Sequence, residues 1–197
     1  MKVVSIFIVG ISAIFYIVWP KQATVDVPDN FAIMELPFQS ETHNQPFNFK
    51  GYEIRPMADF TLKARILSYK YYSSDKEAEL SPVDLALGWG PMSQSKVLDK
   101  IDISQRNRWY FWSTENFPIP RNEIELNSAN MHIIPGNEDI SKRLENVKRG
   151  QIVELKGHLV ECIQDGWRWK SSLTRNDTGG GACEVIFVEA LQISEAR

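Results

Sequence analysis

The chain has 197 residues, of which 43% are hydrophobic and 24% are charged, so most of it should form one ordinary domain or two small ones rather than a disordered segment. The formal net charge is -3 and no block of Lys and Arg stands out. This charge argues against a dedicated nucleic-acid-binding protein, which needs a basic face to gain from counterion release.

The first predicted element is a membrane-spanning helix. Residues 3–19, which read VVSIFIVGISAIFYIVW, hold no charge, and a helix of this length rises about 25 Å, close to the hydrocarbon thickness of a bilayer. A cleaved signal peptide and a buried helix of a soluble protein are the alternatives. A signal peptide usually has a shorter apolar core, and Lys21 interrupts the small-residue pattern of a cleavage site. We therefore predict an uncleaved anchor over residues 1–20.

The charges that flank this segment predict its orientation. The N-terminal amine and Lys2 precede it, whereas Lys21, Asp26 and Asp29 follow it. Because positive charge favours the cytoplasmic side, the short N-terminus should lie inside and the large domain outside. In a bacterium this topology describes a single-pass inner-membrane protein with its C-terminal domain in the periplasm.

The next segment, residues 21–50, is predicted to be a proline-rich tether. Proline removes a backbone donor and interrupts regular elements, and Pro28, Pro37 and Pro46 recur here. The segment is nevertheless too apolar for a free linker. Part of it should therefore lie along the domain surface.

Residues 51–197 are predicted to form the globular, β-rich domain outside the cytoplasm. Residues 59–72 alternate apolar and polar side chains with the two-residue period of a half-buried strand. Ser81-Pro82 has the residue types of a helix start, which predicts a short helix over 83–87. A second helix is predicted over 93–101.

Two strands and the clearest helix follow. The strands are predicted over 106–112 and 124–134, with Trp109 and Phe111 on one face of the first. The helix is predicted over 137–149, because Asn137 is a good cap and the last turn is basic.

Three further strands are predicted over 151–163, 166–172 and 183–191, with Asp165-Gly166 as a hairpin turn between the first two. The predicted fold class is α+β and mostly β. Five or six strands with one capping helix indicate a small antiparallel OB-like barrel with a few short helices.

Four segments carry a resemblance to a known family: SPVDLALGWGPMS (81–93), ISQRNRWYFW (103–112), SANMHIIP (128–135) and GWRWKSSLTRNDTGGGACE (166–184). The chain resembles, over roughly residues 51–191, a family of uncharacterised bacterial proteins with an N-terminal membrane segment. The resemblance implies a setting in the bacterial envelope and implies no activity.

Cys162 and Cys183 are the only cysteines, and both follow the predicted anchor. An even number of cysteines in an oxidising compartment predicts a disulfide, and closing its loop would stabilise the fold by about 3 kcal/mol. Two small buried thiols are the alternative.

The glycine-rich loop of residues 174–184 invites three interpretations. Its Asp177-Thr178-Gly179 matches the core of an aspartic-protease motif, but that chemistry needs two carboxylates. Its glycines lead into a strand-like run, whereas a phosphate cradle leads into a helix. The remaining interpretations of the loop are a hairpin tip and a binding loop. The three histidines are scattered, so neither a metal nor a cofactor is predicted.

The aromatic residues supply the contact candidates. Core packing explains part of the tryptophan content, but both faces of an alternating strand cannot be buried in a small domain unless something covers them. The predicted contacts for a ligand or partner are Trp112, Trp167, Trp169, Arg175 and Asp177.

These observations lead to two functional hypotheses. The first is a membrane-anchored, non-enzymatic binding or assembly module with an envelope protein as its partner. The second is a periplasmic hydrolase that uses residues near the 174–184 loop, with Asp177, His132 and either Ser128 or Glu184 in hydrogen-bonding reach of one another.

Overall fold

The computed structural model describes residues 22–174 and 183–196. The predicted anchor over residues 1–20 lies outside these ranges, and so do Arg175 and Asp177. Within the described ranges, no helix combines the length and apolar character that crossing a bilayer requires.

The described part of the chain is mostly β with a few short helices, as predicted. In chain order, its strands are β1 (Phe38–Ser40), β2 (Phe47–Phe49), β3 (Tyr52–Tyr71), β4 (Val83–Gly88), β5 (Asp102–Arg106), β6 (Trp109–Ser113), β7 (Ser128–Pro135), β8 (Ile152–Gln164), β9 (Trp167–Lys170) and β10 (Glu184–Ser194). Its helices are α1 (Ser95–Leu98), α2 (Arg121–Leu126) and α3 (Glu138–Leu144), with single 3-10 turns at Lys76–Glu79 and Pro91–Ser93.

Five strands pair in a continuous series. β3 pairs with β4, β4 with β7, β7 with β10, and β10 with β8, and β8 pairs in turn with β3. Every pair is antiparallel except β7 with β10, which is parallel. β3 serves two neighbours because it is long: its first part pairs with β8, its last part pairs with β4, and Arg65 belongs to both ladders.

The main apolar core receives side chains from all five of these strands. Representative members, one from each strand, are Phe60, Leu85, Ile133, Leu155 and Ile186. Each such side chain is fully buried and contributes about 1.5–3 kcal/mol relative to an exposed position. Ile140 and Leu144 of α3 pack on the same core.

The helix predicted over 137–149 is confirmed but shorter, since α3 ends at Leu144. The side-chain oxygen of Asn137 accepts a hydrogen bond from the backbone amide of Ile140 at 3.0 Å, which is the predicted cap. The chain then turns so that Arg149 forms a parallel bridge with Thr24.

The helix predicted over 83–87 is wrong, because these residues belong to β4. All six residues of β4 are buried, so the strand lacks the alternating polar face that identifies most strands from sequence. Ser81 does not cap a helix; its hydroxyl donates to the carbonyl oxygen of Val83 at 3.2 Å. The helix predicted over 93–101 is reduced to the single turn of α1.

The strand predicted over 106–112 is interrupted by a hairpin turn. Asn107 and Arg108 have φ angles of 50° and 65°, and this left-handed pair is the geometry of a two-residue hairpin between β5 and β6. The alternation of faces along β6 is as predicted. The strand predicted over 124–134 begins instead with the last turn of α2.

Residues 22–50 lie along the domain rather than extending from it. The amide of Gly90 donates to the carbonyl of Ile33 at 2.7 Å, and Ile33 is buried in the main core. β1 and β2 then pair with β3. The apolar residues of this segment account for its attachment.

The predicted disulfide is not formed between Cys162 and Cys183. Cys162 lies on β8 opposite Trp169 of β9, so β9 occupies the edge of β8 that Cys183 would otherwise reach. Burial raises the pKa of the Cys162 thiol to about 12. The predicted turn that brings β9 to this edge is confirmed, with positive φ angles at Asp165 and Gly166.

Candidate functional site

A cleft of about 550 Å³ lies between β6, α2 and the first residues of β7 and β10. This volume is within the range of known ligand sites. Six aromatic side chains contribute to its lining: Trp89, Trp109, Tyr110, Phe111, Trp112 and Phe117.

The alternation of β6 sends its aromatic residues to two sides. Tyr110 and Trp112 are half-buried against the apolar cluster beneath the hairpin, whereas Trp109 and Phe111 remain 39% and 38% exposed. Phe117, which is 56% exposed, meets the Trp112 ring edge-on at a centroid distance of 6.1 Å. The cleft therefore presents aromatic surface to solvent.

Several polar groups that line the cleft are already paired with one another. Arg121 Nε lies 2.8 Å from Glu125 Oε1. The Tyr110 hydroxyl donates to Ser128 Oγ at 3.2 Å, and the Ser128 hydroxyl donates to the carbonyl of Ile124 at 2.7 Å. Burial raises the pKa of Tyr110 to about 12, so its hydroxyl stays a donor at neutral pH. These pairings leave the aromatic rings as the main binding surface.

A buried charge cluster adjoins the cleft at the turn of the β5–β6 hairpin. Arg108 Nη1 lies 2.7 Å from Asp84 Oδ1, and Arg108 Nη2 lies 2.6 Å from Asp75 Oδ1. His132 Nδ1 lies 2.8 Å from the same Asp84 oxygen. Asp84 is fully buried, and a buried carboxylate is tolerated only with such partners. The cluster thus joins the hairpin turn to β4 and β7.

Further contacts hold Arg108 in place. Its guanidinium carbon lies 3.8 Å from the centre of the Tyr72 ring, and its amide donates to the Tyr72 hydroxyl at 3.0 Å. The hydrogen bonds from Arg108 lower the pKa of Asp75. The arginine is therefore a structural tie between the hairpin and the residues before β4.

The structure separates the predicted contact residues into two groups. Trp112 lies in the cleft. Trp167 and Trp169 lie together on β9, with ring centroids 6.2 Å apart, in a different apolar cluster that includes Tyr52. Trp169 also contacts the His132 ring at 4.9 Å, so the charge cluster touches both the hairpin and β9.

The remaining predicted contacts, Arg175 and Asp177, fall outside the described residues. The residues that follow them do reach the site. Cys183 and Glu184 line the cleft, and Cys183 Sγ lies 3.9 Å from the carbonyl oxygen of Arg108. The end of the glycine-rich loop therefore meets the aromatic cleft.

Two of the groups named in the hydrolase hypothesis, Ser128 and His132, are not within hydrogen-bonding reach of each other. Ser128 and His132 are four residues apart on β7, which separates them by about 13 Å along the strand. The Ser128 hydroxyl donates to a backbone carbonyl rather than to a base. Asp177 lies outside the described residues, and Glu184, the alternative to Ser128, lines the cleft.

Several residues of the site were not predicted from the sequence. Asp84 was hidden because its segment was interpreted as a helix, and the role of Arg108 depends on the turn that the sequence did not predict. Phe117 and Arg121 lie in and after the loop that follows β6, where no periodic pattern points to a site. Their proximity to Trp112 is visible only in three dimensions.

Comparison with family models, with curated proteins and with solved structures gave no match. Within residues 22–174 and 183–196, no group of three or more His, Cys, Asp and Glu side chains is placed to hold a metal ion.

Proposed function

We propose that the chain is a single-pass protein of the bacterial inner membrane whose periplasmic domain is a non-enzymatic binding or assembly module. The aromatic cleft beside β6 is the proposed binding site, and it is the observation that carries the proposal. The proposed partner is another protein of the envelope.

The domain is proposed to be an OB-like barrel. Its support is the strand order β3–β4–β7–β10–β8, with β8 pairing back to β3. The parallel pair of β7 with β10 and the placement of α3 between β7 and β8 fit a five-stranded Greek-key barrel. Loops and hairpins at the rim of such barrels commonly form binding surfaces.

The membrane setting is supported by the sequence. Residues 3–19 are apolar and long enough to span a bilayer, and the flanking charges favour export of the domain. The resemblance to bacterial proteins with an N-terminal membrane segment points to the same setting.

The lining of the cleft favours the apolar and aromatic side chains of a protein partner. Trp109, Phe111 and Phe117 stay partly exposed although they are large and apolar. Exposed aromatic clusters of this kind are enriched at protein interfaces, where a few of them carry most of the binding energy. Arg121 is already paired with Glu125, so this arginine is not free to bind a strongly anionic ligand.

The proposal is tested by placing a photo-crosslinking amino acid at position 117 of the full-length protein in native membranes. A crosslink to one envelope protein should form at position 117 and not at exposed Lys170 on β9. Trp112→Ala should weaken binding by about 30-fold, since losing a central tryptophan costs about 2 kcal/mol. Lys170→Ala is the control substitution and should leave the crosslink formed from position 117 unchanged. Equal crosslinking at both positions, or normal binding by Trp112→Ala, would reject the cleft as the site.

A further inference from the structure

The residues that follow the predicted anchor are held against the folded domain. The Gln22 side-chain amide donates to the carbonyl oxygen of Tyr69. The Ala23 carbonyl accepts from the Arg149 amide at 2.9 Å, and the Val25 amide donates to the Arg149 carbonyl at 2.9 Å. The first described residue, Gln22, is therefore already held by the folded domain.

The short connection sets a limit on the distance between the domain and the membrane. Two peptide units join residue 20, the end of the predicted anchor, to Gln22, and they span at most about 7 Å when fully extended. The headgroup layer of each leaflet is about 5–8 Å thick. The surface around Gln22 therefore has to lie in or beside the headgroup layer if residues 3–19 span the bilayer.

The side chains around Gln22 have the chemistry of a headgroup contact. Tyr71 is 43% exposed, and its ring lies 5.6 Å from the ring of Tyr69. Its hydroxyl donates to the carbonyl oxygen of Leu144 at 2.8 Å, which joins this pair to the end of α3. Tyrosine is enriched at the interface between lipid and water.

The end of α3 adds positive charge to the same surface. Residues 142–149 contain four basic residues and one acidic residue, Glu145. Lys142, Arg143 and Lys148 are exposed, and Lys142 has only a distant partner, since its Nζ lies 3.8 Å from Glu138 Oε2. Lys and Arg side chains near an anionic lipid surface are attracted to it. The acidic residues of α3, Glu138 and Asp139, lie at its opposite end.

We infer that this surface, defined by Tyr69, Tyr71 and residues 142–149, packs against the phospholipid headgroups of the membrane that holds the anchor. The inference rests on the proposed anchor.

The test uses the full-length protein in vesicles of phosphatidylcholine and phosphatidylglycerol that contain a headgroup-labelled quencher. A fluorophore is attached at Lys148→Cys or, as a matched control, at Lys170→Cys. Both sites are exposed lysines. Lys148 precedes β8, whereas Lys170 pairs with Glu161, nine residues beyond the start of β8, so Lys170 is distant from the proposed surface. Cys183→Ser is present in both variants, and the buried Cys162 does not compete for the label.

Quenching at position 148 should exceed quenching at position 170 by at least threefold. Adding Lys142→Gln and Arg143→Gln should reduce that ratio, because these exposed residues supply charge without supporting the core. Equal quenching at positions 148 and 170 would overturn the inference.

A carbonate wash separates this outcome from failure of the proposed anchor. A chain that stays with the vesicles at alkaline pH retains the anchor, and equal quenching then rejects only the headgroup contact. A chain that is released has no anchor, and both proposals fall together.

Discussion

Arg108 Nη1 lies 2.7 Å from Asp84 Oδ1, and this ion pair joins the turn of the β5–β6 hairpin to a fully buried position of β4. The hairpin supplies most of the aromatic residues of the cleft. The shape of the proposed binding site therefore depends on a contact that lies outside the lining of the cleft. His132 and Asp75 complete the cluster on either side of the pair.

Removing Arg108 should therefore lower the free energy of unfolding. Arg108→Ala leaves the Asp84 carboxylate buried with only His132 beside it, and the expected loss is about 3–5 kcal/mol in the free energy of unfolding. Chemical denaturation of the purified protein measures this loss. Lys63→Ala, which breaks the exposed pair with Glu154, should cost less than about 1 kcal/mol. Similar losses in both variants would contradict a special role for Arg108.

The stability of the domain should fall in acid partly through Asp75. The hydrogen bonds from Arg108 lower the pKa of Asp75 in the folded state. A depressed folded pKa contributes stability that is present above the unfolded value of about 3.9 and is lost as the pH falls through the folded pKa. Asp75→Asn should lose stability at neutral pH and show a flatter decline below about pH 4. Parallel pH profiles for the two proteins would show that Asp75 does not contribute.

The thiol of Cys162 should be unreactive in the folded protein. Burial raises its pKa to about 12, and the thiolate is the reactive form. In the Cys183→Ser variant, a thiol reagent at about pH 8 should label Cys162 only after denaturation. Labelling of the native variant would contradict this expectation, and an oxidised wild-type protein with a bridge between the two cysteines would contradict the pairing of β8 with β9.

Gly157 should tolerate no side chain. A Cβ atom there would lie 1.9 Å from the carbonyl oxygen of Phe187 on β10, next to a register shift between Val188 and Ala190. Gly157→Ala should therefore destabilise the domain by about 1–3 kcal/mol or more, because the backbone of β10 must move. Lys156→Ala, at the exposed neighbouring position, is the control and should change the melting temperature little.

Local patterns predicted the parts of the fold that are half-buried. Residues 59–66 of β3 alternate because one face of the strand meets the core, whereas β8 alternates only over residues 153–156, since residues 157–162 are all buried. Asn137 identifies the start of α3 because the cap joins residues that are only three apart in the chain. β4 was missed because every residue in it is buried. The turn at Asn107 and Arg108 was missed because it contains no glycine.

The residues of the candidate site also fall into those that the sequence predicted and those that it did not. Sequence alone selected Trp112 as a contact, since aromatic residues on both faces of one strand cannot all be buried. It did not select Arg108 and Asp84, which meet although they are 24 residues apart in the chain. It also paired two cysteines that β9 keeps apart.

The sequence by itself therefore determined the strand periodicity, the cap of α3 and the apolar N-terminal segment, because each depends on neighbours along the chain. Only the tertiary structure decided the aromatic cleft, the Arg108–Asp84 tie and the attachment of residues 22–25 to Tyr69 and Arg149. Those features depend on which strands become neighbours. That choice is made by burial of the whole core, which no short segment encodes.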